Sequence, residues 1–168
     1  SDVRMELYVR AKTMEAIDCQ HRRVDEALEA GGAAVGAKTV IETLPGMFPL
    51  ACSPRLNDLF VENIKEYFPE TKIEDAGHFT ASTDMGDISH LMPSIHPFIG
   101  GVDGGLHTKD FCVTDFDAAA ILPGKVFAMN IIDLLYDEAA MAKEILEKEK
   151  PILTKEEYLA KLESYFQS

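Results

Sequence analysis

The chain has 168 residues, enough for one domain or two small pieces, and 46% of them are hydrophobic, which suffices for a core and excludes a disordered segment. Acidic residues outnumber basic ones 29 to 16, so the net charge of −13 repels a phosphate backbone and excludes nucleic acid as a partner. No uninterrupted apolar run reaches the ~18 residues that cross a bilayer, and no signal peptide is visible, so no membrane partner is expected.

Residues 3–10, VRMELYVR, alternate: Val3, Met5, Leu7 and Val9 on one side, Arg4, Glu6, Tyr8 and Arg10 on the other. A period of two predicts a strand with one buried face. From 13 to 30 the spacing turns helical, with Met14, Ile17, His21, Val24 and Leu28 on one stripe. Gly31 and Gly32 weaken that helix and Gly36 is a natural stop. Residues 38–44, KTVIETL, predict a second strand, closed by Pro45-Gly46. Strand, helix and strand in this order form a βαβ-like unit or half of a split one. The first strand has no element before it, so the chain is expected to begin inside a domain. Ser1 reads as a cloning remnant.

The segment 45–53, PGMFPLACS, is a loop and the expected domain boundary. Ser53 is placed to cap a helix with Pro54 in its first turn. Leu56, Leu59, Phe60, Asn63, Ile64 and Tyr67 would form that helix's core face. Residues 77–114 show little periodicity and hold four of the five histidines, His78, His90, His96 and His107, so chemistry is expected there. From 115 onward the chain is predicted helical. A first piece from Phe116 to Leu122 is broken by Pro123-Gly124. The piece from Val126 to Tyr136 is apolar nearly all round, which predicts burial. An amphipathic, charged piece covers 138–149. Thr154 and Glu157 form a capping box for a last helix that would bury Tyr158, Leu159, Leu162 and Phe166. The acidic runs 137–149 and 155–163 read as solvated faces. Cys19, Cys52 and Cys112 are odd in number and lack C-x-x-C spacing, so they predict buried thiols in a reducing, cytoplasmic compartment.

No H-E-x-x-H, G-x-S-x-G or phosphate-binding glycine loop is present. The run ASTDMGDISH (81–90) opens with Thr83 and Asp84. Asp84 is placed to cap a helix starting at Met85, an alternative at least as strong as a catalytic role. His21, on an apolar stripe, reads as a satisfied core or interface histidine. His78, His90 and His96 stay open between structural roles and the lining of a cleft.

The stretch ASTDMGDISHLMPSIHPFIGG (81–101) followed by GGLHTKDF (104–111) resembles the C-terminal motif pair of a metallopeptidase family. That family includes carboxypeptidase G, aminoacylase, succinyl-diaminopimelate desuccinylase and aminobenzoyl-glutamate hydrolase. The S-T-D-x-G-D-x-S run is most like the aminobenzoyl-glutamate hydrolase branch. Residues 114–137 resemble the long closing helix of that branch, and ELYVRAKTMEAI (6–17) resembles a strand and helix of the family's lid, or dimerisation, domain.

The resemblance implies an α/β protein in two parts. Residues 1–46 would be the second half of a ferredoxin-like lid, and residues 47–168 the C-terminal part of a zinc-peptidase-like α/β/α catalytic domain. It implies hydrolysis of an amide bond in a small molecule, an N-acyl amino acid, dipeptide or aminobenzoyl-glutamate-like substrate. Two divalent ions, zinc or else cobalt or manganese, would polarise the carbonyl and activate water. His107 matches the last metal ligand, Arg10 the lid arginine that grips a substrate carboxylate, and Thr83 and Asp84 substrate contacts. For Arg10 a surface salt bridge is an equal alternative. The family's other ligands and its glutamate base are expected in a half that this sequence lacks: no H-x-D occurs, and the one adjacent glutamate pair, Glu156-Glu157, falls in the capped start of the last helix. A catalytic zinc site takes about three protein ligands, so the isolated chain is expected to be inactive and to bind no metal. A homodimer is expected through the lid half. The rival reading is a non-catalytic dimerisation module or subunit without metal.

Overall fold

In the computed structural model the described residues are 2–75, 77 and 81–166. The backbone falls into two compact units. The first comprises Ser1–Ala51, Ala76–Met92 and Pro151–Ser168; the second comprises Cys52–Asp75 and Pro93–Lys150.

The first unit opens on a segment outside any hydrogen-bonded ladder. Residues 3–10 were expected as a strand with one face buried, but Val3, Met5 and Leu7 are exposed. A strand exists only through its neighbour, and no other described segment pairs with this one. Helix α1, Met14–Ala34, is set by local chemistry at both ends. The Thr13 hydroxyl accepts from the Ala16 amide at 3.2 Å. At the C-terminus Gly36 takes φ +71°, and the amides of Gly36 and Ala37 donate to Ala33 and Gly32 carbonyls at 3.1 and 2.9 Å. That pair of bonds is the Schellman arrangement, and its left-handed residue favours glycine. The helix runs through Gly31 and Gly32 without stopping.

The stripe Met14, Ile17, His21, Val24 and Leu28 is half-buried, and no residue of α1 is fully buried. Its cover is the segment 38–44. Thr43 Oγ1 lies 3.2 Å from His21 Nε2, and a Cβ on Gly32 would meet the Thr39 hydroxyl. Thr39, Ile41 and Thr43 are half-buried while Val40, Glu42 and Leu44 are exposed. The alternation of a strand is therefore present and its ladder is not. Helix α5, Lys155–Tyr165, carries the expected capping box: Glu157 N donates to Thr154 Oγ1 at 3.2 Å, and Thr154 N to Glu157 Oε2 at 2.8 Å. Tyr158 and Leu162 are half-buried, but Leu159 and Phe166, expected inside, are exposed. Lys161 Nζ and Tyr165 OH reach Asp18 of α1 at 2.7 and 2.9 Å.

The second unit is built on α2, Pro54–Tyr67, which starts as the sequence predicts. Ser53 Oγ accepts from Leu56 N at 3.1 Å, with Pro54 in the first turn. Leu59, Phe60, Asn63 and Ile64 are buried; Tyr67, at the frayed end, is exposed. The core is Phe60, Ile64 and Val126, flanked by Phe68, Ile95, Leu122 and Met129. Val126 belongs to α4, Leu122–Lys148, which packs on α2.

The expected break at Pro123-Gly124 does not occur. A π-helical turn, Asp117–Ile121, leads straight into α4, and Leu122 N bonds to the Asp117 carbonyl five residues back. The wider ring gives Pro123 room at a position where its missing amide is not needed. The expected burial of Val126–Tyr136 holds for one face only. Val126 and Asn130 are buried and Phe127 leans on Phe60 at a ring distance of 5.4 Å, while Ile131, Ile132 and Leu135 are exposed, because α2 covers a single side. Asp117–Lys148 is long and apolar enough to pass for a membrane span on hydropathy alone. Its inner face nevertheless carries polar groups beside the core: Asn63 Nδ2 donates to Asn130 Oδ1 and to Asp133 Oδ2, each at 2.8 Å. The thiols were expected buried, but Cys19 and Cys112 are exposed and Cys52 is intermediate; all three are free.

Candidate functional site

Of the four residues singled out for binding, Arg10, Thr83 and Asp84 lie in the first unit and His107 in the second. Arg10 is exposed, its guanidinium carbon 5.3 Å from the Tyr8 ring centroid. Tyr8 in turn donates to Glu6 Oε1 at 3.0 Å, a bond that with the Glu6 charge raises the phenol above its ordinary value. The three alternating residues thus keep Arg10 at a solvent-facing surface.

Thr83 and Asp84 open α3, Met85–Leu91. The cap expected from Asp84 is not made: its carboxylate bonds no helix amide, and its backbone is already helical at φ −59°, ψ −21°. A side chain caps from an extended backbone, so a helical one points the carboxylate away. Thr83 takes the place, its hydroxyl 3.4 Å from Met85 N and donating to Asp84 Oδ1 at 3.2 Å. Asp84 is exposed.

The rest of the run is structural. A Cβ on Gly86 would fall 1.8 Å from the Phe48 carbonyl oxygen, so only glycine lets the two backbones touch. Ser89 Oγ donates to the Gly86 carbonyl at 2.6 Å and accepts from Ala51 N at 3.0 Å. His90, buried, sets Nδ1 2.9 Å from the same carbonyl, and its own carbonyl accepts from Leu153 N at 2.9 Å. The Phe48 ring stands edge-on to His90 and Tyr158, with centroids at 5.2 and 5.3 Å. Tyr158 OH donates to Asp87 Oδ1 at 3.1 Å, and burial first, then the Asp87 charge, raises the phenol. His90 therefore holds segments together and is not open to a ligand through Nδ1. The sequence signal for this was the i+3 and i+4 spacing of Ser89 and His90 from Gly86. His78 lies outside the described residues. His96 stacks edge-on with Phe98 at 5.4 Å, and its buried Nδ1 has no hydrogen-bond partner.

His107 sits on a hairpin. Strands β1, Val102–Asp103, and β2, Cys112–Val113, pair antiparallel with Val102 opposite Val113 and Asp103 opposite Cys112. Gly101 and Gly104 have φ of +83° and +85°, and a Cβ on either would strike backbone, of Asp115 and of Asp110 respectively. Gly105 to Thr108 then form a turn closed by Thr108 N donating to Gly105 O at 3.2 Å. The Thr108 hydroxyl donates to the same carbonyl at 2.8 Å. His107 is the third residue of that turn, exposed, with φ +61°. Left-handed backbone at a non-glycine residue costs about 1–3 kcal/mol and clusters at functional sites. The loop fixes this imidazole outward at a conformational cost.

Beside the hairpin's base, a depression of about 370 Å³ is lined by Phe68, Asp115, Asp117, Ile121 and Lys125 among others, and His107 is not one of them. Among the described residues no three His, Cys, Asp or Glu side chains are grouped to hold a metal ion. One imidazole at a loop tip, with no other donor grouped beside it among the described residues, does not fit a complete metal centre.

No family model matches the sequence, and no solved structure matches it. Among curated proteins, Xaa-Arg dipeptidase of Mus musculus is 28% identical over 142 residues, which is 80% of this chain and 33% of that protein. The chain spans a third of the length of the relative it matches. A single stretch covering that share of the chain must include residues 81–111, whichever end is left out. The similarity does not single out the aminobenzoyl-glutamate hydrolase branch. What it does place beside this chain is a distant relative of peptidase type, a protein named for cleaving dipeptides.

Proposed function

We propose that this chain is the C-terminal part of a metal-dependent amidohydrolase or dipeptidase, whose substrate is an N-acyl amino acid or a dipeptide with a free carboxylate. The observation that carries the reading is the 28% identity to a dipeptidase over 80% of the chain. His107 would contribute one imidazole to a two-metal centre, and Arg10 one guanidinium to the substrate carboxylate, where two parallel hydrogen bonds favour arginine. The left-handed turn at His107 supports the first role, and the exposure of Arg10 supports the second. Thr83 and Asp84 would be substrate contacts, a role that the exposure of Asp84 at the head of α3 supports. The remaining donors and the general base would come from polypeptide beyond these residues, so no hydrolytic step is derived for this chain alone. The apolar face of α4 left bare by α2, with Ile131, Ile132 and Leu135, suits a fold completed by further chain.

The test is a panel of N-acetyl amino acids, aminobenzoyl-glutamate and Xaa-Arg dipeptides, incubated with the longer protein and with the 168-residue chain in zinc, cobalt or manganese. Free amine from the longer protein, lost on His107→Ala together with bound metal, is the expected result. Turnover by the short chain that disappears in His107→Ala refutes the division of ligands. A non-catalytic dimerisation module is the second reading, favoured by the single metal-type donor. It requires no turnover and no metal in the longer protein, and a dimer by light scattering. We infer a homodimer through residues 1–46 under either reading, since Val3, Met5, Val40 and Leu44 are exposed there.

A further inference from the structure

Helix α4 is broken in a stretch that has no chemical reason to break. Residues 134–141 read Leu-Leu-Tyr-Asp-Glu-Ala-Ala-Met, without glycine, proline or asparagine. Alanine, leucine, methionine and glutamate are among the strongest helix formers. Yet Tyr136 is extended at φ −60°, ψ 154°, and Asp137, Glu138 and Ala139 take φ of 49°, 55° and 61°. Each left-handed residue that bears a Cβ is held against a steric penalty, and runs of them are rare. Such a conformation persists only where its surroundings over-determine it.

The surroundings are two anchors on α2. Before the break, Asn130 and Asp133 are bonded to Asn63. After it, Met141 Sδ accepts from Arg55 Nη2 at 3.9 Å, Ile145 is buried, and Glu149 Oε1 accepts from Arg55 N at 3.1 Å. The last contact puts a carboxylate on the first turn of α2, where free amides and the helix dipole favour it. Met141 would meet Arg55 on a straight helix too, since it lies eight residues beyond Asp133 just as Asn63 lies eight beyond Arg55, but Glu149 would not. Asp133 and Glu149 would stand ~24 Å apart along a continuous α4, whereas Asn63 and Arg55 are separated by ~12 Å along α2. A glutamate side chain does not span the difference, so Glu149 reaches Arg55 only when α4 is bent.

We propose that residues 136–139 are a strained joint and Glu149 its latch: with the carboxylate on α2 the helix is bent, and with the latch released α4 relaxes to one continuous right-handed helix. The device lies in the same unit as the hairpin of His107 and depends on neither metal nor substrate.

The test uses the 168-residue chain. Glycine reverses its effect between the two conformations: it relieves a left-handed position and weakens a right-handed helix interior. Glu138→Gly is expected to raise the melting temperature by about 2–4 °C, with the helical circular dichroism unchanged. Glu149→Ala is expected to increase the signal at 222 nm and to slow amide exchange across 137–143. The double variant should regain the bent chain's faster exchange. A lower melting temperature for Glu138→Gly overturns the proposal. So does a Glu149→Ala chain whose 137–143 amides exchange no more slowly than in the wild type. If Glu149→Ala fails to fold, the sign of the Glu138→Gly shift decides alone.

Discussion

Replacing Gly86 by alanine tests whether the STDMGDISH run is a scaffold. The added Cβ would sit 1.8 Å from the Phe48 carbonyl oxygen and 2.9 Å from its carbon. The oxygen cannot yield freely, because the Phe48 ring is 2% exposed and Ala51 is tied to Ser89 by a 3.0 Å bond. Forcing extra volume into a packed site costs about 1–3 kcal/mol. If the retreat of residues 48–51 also breaks the Ala51–Ser89 bond, ~1 kcal/mol is added. The expected loss is therefore about 2–4 kcal/mol of unfolding free energy. Gly31→Ala is the matched control: nothing lies within 4 Å of its Cβ, and an alanine in a helix interior stabilises by about 0.5–1 kcal/mol. Urea unfolding followed by far-ultraviolet circular dichroism reads both, since the chain has no tryptophan. A Gly86→Ala chain within ~0.5 kcal/mol of wild type, the range of ordinary surface changes, would refute the close approach.

At His107 the turn predicts an order of stability: glycine at least equal to histidine, alanine close to it, and valine lower by roughly 1 kcal/mol, because a β-branched residue resists positive φ. Thermal melts measure it, and a valine variant as stable as wild type would deny the left-handed backbone. Asn63→Ala leaves Asn130 and Asp133 without their shared donor, and about 2–4 kcal/mol should be lost, more than for Asn130→Ala. Equal losses in urea melts would remove Asn63 from the centre of that network.

The Asp18 cluster predicts a pH dependence of the α1–α5 tie. Burial works to raise the Asp18 carboxyl, but bonds from Lys161 and Tyr165 outweigh it and hold it below its ordinary value. Its stabilisation is thus present above ~3.9 and lost as pH falls through the lower folded value. Lys161, raised chiefly by its bond to Asp18, contributes below ~10.4 and loses that as pH rises through its higher folded value. The gap in melting temperature between wild type and Asp18→Asn should be widest near neutrality and close below about pH 4. A gap that persists at pH 2.5 contradicts the assignment.

Short-range chemistry was legible in the sequence. Ser53 and Thr154 cap the helices they precede, and Gly36 ends α1, since each acts on amides or carbonyls within a few residues. The half-buried stripe of α1 and the alternation of 39–43 follow from period alone. What sequence could not decide was which faces meet a partner. Strand patterning at 3–10 gives no ladder without a neighbour, and the all-round apolar helix from Val126 to Tyr136 is buried only where α2 lies. His90 stayed open between a structural role and a cleft until the approach of Phe48 and Ala51 showed that it, Gly86 and Ser89 hold segments together. Burial and hydrogen-bond closure depend on residues distant in the chain, so only the tertiary structure could assign them.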